Sequence, residues 1–124
     1  MSHTPKDFTV WTEIPVTDLE RATAFYNAVF ETELNRIEDM GPDPIAMFPT
    51  SDKNGVAGHL YPGKPAPAGT GSTIHLQSPG DLDKARERVL EAGGAVVSEV
   101  ITIPDGKFFY CQDPDGNSIG IFHR

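Results

Sequence analysis

Glu13, His59 and His75 have the chemistry to hold a metal ion or to move a proton, and all three fall in predicted strands. Each lies in a segment that alternates like a β-strand, so each shares a face with residues two positions away. Two imidazoles and one carboxylate make a ligand set that suits iron or another transition metal. The same groups suit a metal-free acid/base pair in which the carboxylate orients an imidazole. A structural ion pair of Glu13 with His75 is the third interpretation.

The elements that must position these side chains occur twice in the chain. Residues 15–22 (PVTDLERA) return in looser form as residues 77–85 (QSPGDLDKA), and the two Asp-Leu pairs are offset by 81 − 18 = 63 residues. Each copy follows a short alternating strand and opens a helix. Two similar halves predict a pseudo-symmetric domain whose natural binding site is the groove between them.

The first half predicts one strand, one helix and three further strands. Thr17 starts the helix through a capping box with Glu20, and the helix runs to about Phe30 or Glu31. A linker rich in Gly and Pro, Gly63–Gly71, separates the halves. The predicted strands of this half are Phe8–Val16, Glu33–Glu38, Pro44–Pro49 and Val56–Tyr61.

The second half repeats this order. Asp81 caps its helix, and Gly93 or Gly94 ends that helix in the left-handed region. The run Asp113–Asn117 (DPDGN) is typical of a hairpin connection. The predicted strands are Ser72–Ser78, Ala95–Val100, Lys107–Gln112 and Asn117–Phe122. The chain therefore predicts an α+β fold of two paired βαβββ modules, about 6–62 and about 72–123, with helices outside a curved, cleft-containing mixed sheet.

Size and composition exclude several classes of protein. A chain of 124 residues is long enough for one domain. Its net charge of −8 argues against a nucleic-acid groove, which needs a clustered basic face. The single cysteine, Cys111, excludes an internal disulfide. No apolar run resembles a signal peptide or spans a membrane. These features predict a cytoplasmic protein that binds neither nucleic acid nor membrane.

Three motifs resemble the vicinal oxygen chelate superfamily of glyoxalases, bleomycin-resistance proteins and extradiol dioxygenases. They are residues 14–22 with Phe25-Tyr26, then Asp81-Leu82 with residues 91–94 (EAGG), and finally residues 113–119 (DPDGNSI). The run Gly55–Gly58 and the linker around Pro65 are similar to an uncharacterised, glyoxalase-related branch. The resemblance covers both halves and implies a glyoxalase-like fold and a homodimer, with modules that pair within or across chains. It leaves the chemistry open, because function depends on the site that a fold carries.

The resemblance also implies where a metal would be bound. Family members usually hold a divalent ion with His or Glu at four equivalent positions, two in each module. The matching residues here are Trp11, His59, Thr73 and Gly120, and of these only His59 is a metal ligand. A zinc-like site needs three or four protein ligands. We therefore expect no metal at the usual positions. A displaced site made by Glu13, His59 and His75 is the alternative.

Strand alternation places further residues on the same side of the groove as these positions. We expect a ligand-binding surface made of Trp11, Glu13, His59, Tyr61, Thr73, His75, Gln77, Tyr110 and Phe122. In the first hypothesis the protein binds a small organic molecule between aromatic walls without a metal or other cofactor, and Glu13 meets a cationic group of that molecule. In the second it is a lyase, isomerase or dioxygenase-type enzyme in which Glu13 and His75 are catalytic and His59 takes part, with or without a divalent transition metal.

Overall fold

A computed structural model describes residues 2–39 and 41–124, and within them the chain forms two helices and nine strands. Helix α1 is Leu19–Phe30 and helix α2 is Leu82–Glu91. The strands are β1 Thr12–Val16, β2 Asn35–Ile37, β3 Ile45–Met47, β4 Gly58–Pro62, β5 Ile74–Gln77, β6 Ala95–Val96, β7 Ile101–Ile103, β8 Gly106–Gln112 and β9 Ser118–His123. The predicted α+β class with two similar modules is confirmed.

Each module contributes one mixed sheet with the same order of strands. The first sheet runs β1-β4-β3-β2, and the second runs β5-β9-β8-β6, with β7 also paired to β8. The first strand of each module is parallel to its last strand, so Glu13 lies opposite His59 and His75 lies opposite Gly120. Strands β1 and β5 each stand at the end of their sheet, which leaves one edge of each without a hydrogen-bonded strand in the part of the chain that is described.

One face of each sheet packs against the helices in a shared hydrophobic core. Ile14 and Leu60 from the first sheet and Phe109 and Ile121 from the second all belong to this cluster, together with the apolar faces of both helices. The helices also contact each other, since Arg88 Nε donates to the carbonyl oxygen of Val29 at 2.9 Å. The opposite face of each sheet is thereby left to carry the predicted site residues.

Helix α1 begins one residue later than its capping box predicts. Asp18 is the N-cap, and its side chain accepts from the backbone N–H of Arg21. Thr17, the predicted cap, instead donates its hydroxyl to Asp115 in the other module. The prediction was wrong because a carboxylate 98 positions away competes for that hydroxyl. The predicted cap of α2 is confirmed, since Asp81 accepts from Asp83 N at 3.0 Å, and Gly93 has the expected positive φ of 96°.

Two predicted strands are shorter than their sequence pattern. Residues 8–11 alternate like a strand, yet β1 starts at Thr12, and the Phe8 and Val10 side chains are 80% and 75% exposed. After β6 the chain bulges, because Val97 N and Ser98 N both donate to the carbonyl of Tyr110. Pairing with β8 resumes in β7, a strand that the sequence analysis missed. The second module therefore has one more strand than the predicted βαβββ unit.

The predicted turn at Asp113–Asn117 joins the two modules. Asp113 is buried, and its Oδ2 accepts from Tyr26 Oη at 2.8 Å. Asn117 Nδ2 donates to the carbonyl oxygen of Pro15 at 2.8 Å. Asp115 forms an ion pair with Arg21 at 3.0 Å. The turn thus fixes the end of β1 and the start of α1, which positions the strand that carries Glu13.

Neither helix of the described residues has the length and apolar character needed to cross a membrane.

Candidate functional site

Glu13 and His59 lie side by side on the exposed face of the first sheet, as their opposed register predicts. His59 Nε2 is 3.3 Å from Glu13 Oε1, with side-chain exposures of 15% and 67%. The indole Nε1 of Trp11 donates to His59 Nδ1 at 2.9 Å. Both imidazole nitrogens therefore face a neighbour. We name this chain of contacts, Trp11–His59–Glu13, the polar triad.

The polar triad borders a pocket of about 290 Å³. Tyr61 forms one wall, and its ring centroid is 6.2 Å from that of His59, with the planes at 69°. The residues that line the pocket are Glu13, Pro42, Asp43, Ile45, His59, Tyr61 and Pro62. We call this cavity the triad pocket. Asp43 was missed by the sequence analysis, because it lies in a loop where no periodicity indicates which way a side chain points.

His75 belongs to a different environment, a cluster of four rings on the second sheet. Its centroid is 5.0 Å from Phe108, 5.9 Å from Tyr110 and 6.2 Å from Phe122. Phe108 and Phe122 are stacked at 6.0 Å. We call these four residues the ring cluster. Phe108 was also missed, although alternation from Tyr110 would have placed it on this face.

Gly120 explains how His75 reaches its position. A Cβ atom added at residue 120 would lie 2.6 Å from the His75 ring, so the imidazole occupies the space that any side chain there would need. Thr73, the residue before β5, has its Oγ1 2.6 Å from Ser118 Oγ. Thr73, His75 and Gln77 line one side of a larger cleft of about 740 Å³, and first-module residues that include Thr12 and Phe48 line the other side.

The predicted groove residues are thus divided between two surfaces of the chain. Glu13, His59 and Tyr61 line the triad pocket, whereas Thr73, His75 and Gln77 line the larger cleft. Glu13 and His59 meet, but His75 contacts the ring cluster instead of either one. Among residues 2–39 and 41–124, no three His, Cys, Asp or Glu side chains stand close enough to share a metal ion.

The four positions that bind metal in the resembled family do not fit a metal here. Both nitrogens of His59 already face neighbours, and the Thr73 hydroxyl is paired with Ser118. Trp11 offers only an N–H donor, and Gly120 is covered by the His75 ring. A divalent ion would have to break these contacts to gain one imidazole.

Cys111 is a buried thiol on the core side of β8. Burial is the main cause that raises its pKa to about 12, and the charge of Asp113 adds to the shift. A thiol with this pKa carries almost no thiolate at neutral pH. The structure therefore supports a packing role for Cys111.

Comparison with known families identifies the chain. Residues 9–121 match the profile of the Glyoxalase/Bleomycin resistance protein/Dioxygenase superfamily. The protein belongs to this superfamily, as the doubled module and the DPDGN turn indicate. No curated protein matches the sequence.

Solved structures share the fold at low sequence identity. A glyoxalase/bleomycin resistance protein from Albidiferax ferrireducens T118 is 22% identical, with a TM-score of 0.72 over 95% of this chain and 100% of that one. The genomically encoded fosfomycin resistance protein of Listeria monocytogenes is 19% identical, with a TM-score of 0.68 over 98% and 93%. An E144Q glyoxalase I mutant from Zea mays is 22% identical, with a TM-score of 0.68 over 91% of this chain and 45% of that one. At these identities the similarity establishes the fold alone.

Proposed function

We propose that the protein binds a small organic cation in the triad pocket, without a metal at the family's usual positions. The observation that carries this proposal is the Glu13 carboxylate, which is two-thirds exposed and stands beside the rings of His59 and Tyr61 in one pocket. A negative charge next to aromatic surface attracts an organic cation through both charge and ring contacts. The described lining of the pocket includes no Lys or Arg that would neutralise this charge.

A second copy of the chain supplies the other wall in this proposal. The ring cluster carries Arg124 over the Phe122 ring at 5.7 Å, so its edge is basic, whereas the triad pocket has Glu13 and Asp43. The two surfaces are therefore complementary in charge. The exposed Phe8 and Val10 and the free edges of β1 and β5 provide apolar and hydrogen-bonding surface for the contact. Such a homodimer, in the cytoplasm, would enclose a ligand that each chain alone leaves open to water.

An enzyme of the lyase, isomerase or dioxygenase type is the second candidate function. It is favoured by the contact between Glu13 and His59, because a carboxylate beside an imidazole is an arrangement that also serves proton transfer. In this candidate His75, 5.0 Å from the Phe108 ring, would act from the opposite wall of the dimer.

Binding measurements with three compounds that share a benzene ring test the ligand proposal. Calorimetry with benzylamine, benzyl alcohol and benzoate compares a cation, a neutral molecule and an anion of similar size. We expect benzylamine to bind most tightly and Glu13→Gln to weaken it at least tenfold, since removal of a charge partner costs about 1.5–3 kcal/mol. Equal binding of all three compounds, or an unchanged affinity in Glu13→Gln, would contradict the proposal.

Metal analysis tests whether the second candidate function is that of a metalloenzyme. Purified wild-type protein is compared with His59→Ala and His75→Ala for iron, zinc and nickel content. We expect substoichiometric metal in all three proteins. Stoichiometric metal in the wild type that is lost in both variants would favour the metalloenzyme and require the two histidines to meet across the dimer.

The oligomeric state tests independently whether a second copy of the chain supplies the other wall of the site. We expect sedimentation equilibrium to give a dimer for the wild type and a monomer for the double variant Phe8→Ser with Val10→Ser. A monomeric wild type at tens of micromolar would remove the second wall and leave the charge preference of the triad pocket to be judged by calorimetry alone.

A further inference from the structure

The hydrogen bond from Trp11 determines where His59 carries its hydrogen. An indole Nε1–H is only a donor, so His59 Nδ1 must accept with a lone pair. The imidazole in this contact is therefore neutral and has its hydrogen on Nε2, an assignment that follows from the hydrogen-bond network. This hydrogen lies on the side of Glu13, whose Oε1 is 3.3 Å from Nε2. The contact is thus one between a carboxylate and a neutral imidazole, and the distance alone does not make it a salt bridge.

This arrangement leaves the triad pocket with hydrogen-bond acceptor sites that a ligand can use. Both nitrogens of His59 are used, one as an acceptor from Trp11 and the other beside Glu13. A carboxylate offers about four acceptor sites across its two oxygens, and the contact with His59 is to Oε1. The remaining acceptor sites of Glu13 belong to a side chain that is 67% exposed and lines the pocket. A ligand that can donate hydrogen bonds therefore gains more here than one that offers charge alone.

The shape of the pocket selects among cationic groups. Its walls are the rings of Tyr61 and His59, which meet at 69°, in a volume of about 290 Å³. The two rings pack edge-to-face on each other, with centroids 6.2 Å apart, and the described lining of the pocket holds no further aromatic ring to complete the cage that holds a quaternary ammonium. A planar cation can instead lie against one ring and direct its in-plane N–H groups to the carboxylate, and this geometry makes charge-assisted, often paired hydrogen bonds.

We propose, on the basis of the cation-binding function above, that the triad pocket recognises an amidinium or guanidinium group, with Glu13 as its acceptor and Trp11 as the positioning residue that sets the His59 tautomer. Trp11 acts through His59 and does not line the pocket itself. The proposal assigns a ligand class to the site and a purpose to the indole at a position where the family usually has a metal ligand.

Calorimetry with two cations of equal charge tests the ligand class. Benzamidine presents a planar amidinium, whereas benzyltrimethylammonium presents a charge without N–H groups. We expect benzamidine to bind wild-type protein at least tenfold more tightly, and Glu13→Gln to remove that preference. Equal affinities would overturn the amidinium proposal while leaving cation binding intact, provided that benzylamine binds through Glu13. Absence of binding by all three cations would overturn the proposed function as well.

Nitrogen-15 NMR of His59 with Trp11→Phe tests the positioning role. The variant keeps an aromatic ring and removes the donor, so it is matched for packing. We expect the wild-type imidazole to have its hydrogen on Nε2, and the variant to show a mixture of tautomers together with a several-fold loss of benzamidine affinity and unchanged benzyltrimethylammonium affinity. A wild-type hydrogen on Nδ1, or a variant with the same tautomer and affinity as the wild type, would overturn the role of Trp11.

Discussion

The two modules place different chemistry at equivalent positions of the same scaffold. In the first module, the parallel pair of outer strands sets Glu13 opposite His59, and two polar side chains meet. In the second, the same pairing sets His75 opposite Gly120, and one ring lies over bare backbone. The first module thereby exposes a charged pocket and the second an aromatic surface. The comparison shows that the same strand register in both modules fixes which positions lie opposite each other, while Gly120 leaves His75 without a polar side chain at the opposed position.

The largest effect on stability is expected when a ring is removed from the second module. Phe108 is 9% exposed and lies within ring-contact distance of His75, Tyr110 and Phe122. We expect Phe108→Ala to lower the free energy of unfolding by about 3 kcal/mol, because it leaves a cavity beneath the cluster. Tyr61→Ala, on the more open surface of the first module, is expected to cost about 1 kcal/mol. Equal losses in urea denaturation would mean that the two surfaces are equally well packed.

A smaller effect is expected when Gly120 is given a side chain. Gly120→Glu introduces the residue type that the family would use there, but its Cβ would lie 2.6 Å from the His75 ring. We expect a loss of about 2 kcal/mol in unfolding free energy from overpacking. The double variant with His75→Ala should recover at least half of it. Additive losses in the double variant would show that the His75 ring is not what excludes a side chain at residue 120.

The dependence of the unfolding free energy on alkaline pH compares two buried groups, one from the core side of each module. Burial raises the pKa of Cys111 from 9.0 to about 12, and burial with Asp113 raises the pKa of Tyr26 well above 10.0. For each group the unfolded chain loses its proton first. The stability contributed by the neutral native form is therefore complete below the unfolded pKa and is lost as the pH rises toward the folded one.

The thiol of the second module is expected to respond before the phenol of the first. The unfolding free energy should fall from about pH 9, approaching about 1.4 kcal/mol per pH unit once the unfolded thiol is ionised. Cys111→Ala should flatten this fall between pH 9 and 10, and the additional loss from Tyr26 should remain at higher pH. Parallel wild-type and variant curves through pH 9–10 would assign the early alkaline loss to another group.

Much of the scaffold follows from local patterns in the sequence. The two Asp-Leu pairs locate both helices, and the DPDGN run gives the turn, because capping and turn residues act on neighbouring backbone. Patterns fail where a distant group competes. Thr17 has a side chain suited to capping the helix, but its hydroxyl donates to Asp115 instead. The alternating residues 8–11 are not part of a strand in the described chain.

The sequence predicted several residues of the candidate site but not which of them contact each other. Alternation predicted one shared surface, whereas Glu13 and His59 lie on the first sheet and His75, Tyr110 and Phe122 lie on the second. A repeat, however, establishes that positions are equivalent and gives no distance between them, so the sequence suggested that Glu13 and His75 meet. Asp43 lies in a loop, and the Trp11–His59 hydrogen bond joins residues 48 positions apart. Neither has a periodic signal.

The indole that contacts His59 is also the only tryptophan of the chain. Its side chain is 42% exposed and its N–H is tied to the polar triad. The tryptophan fluorescence of the protein therefore comes from a single reporter at the candidate site, with no second indole elsewhere to obscure it. A compound library can be screened on unlabelled protein, and each change in emission can be attributed to this one corner of the first module.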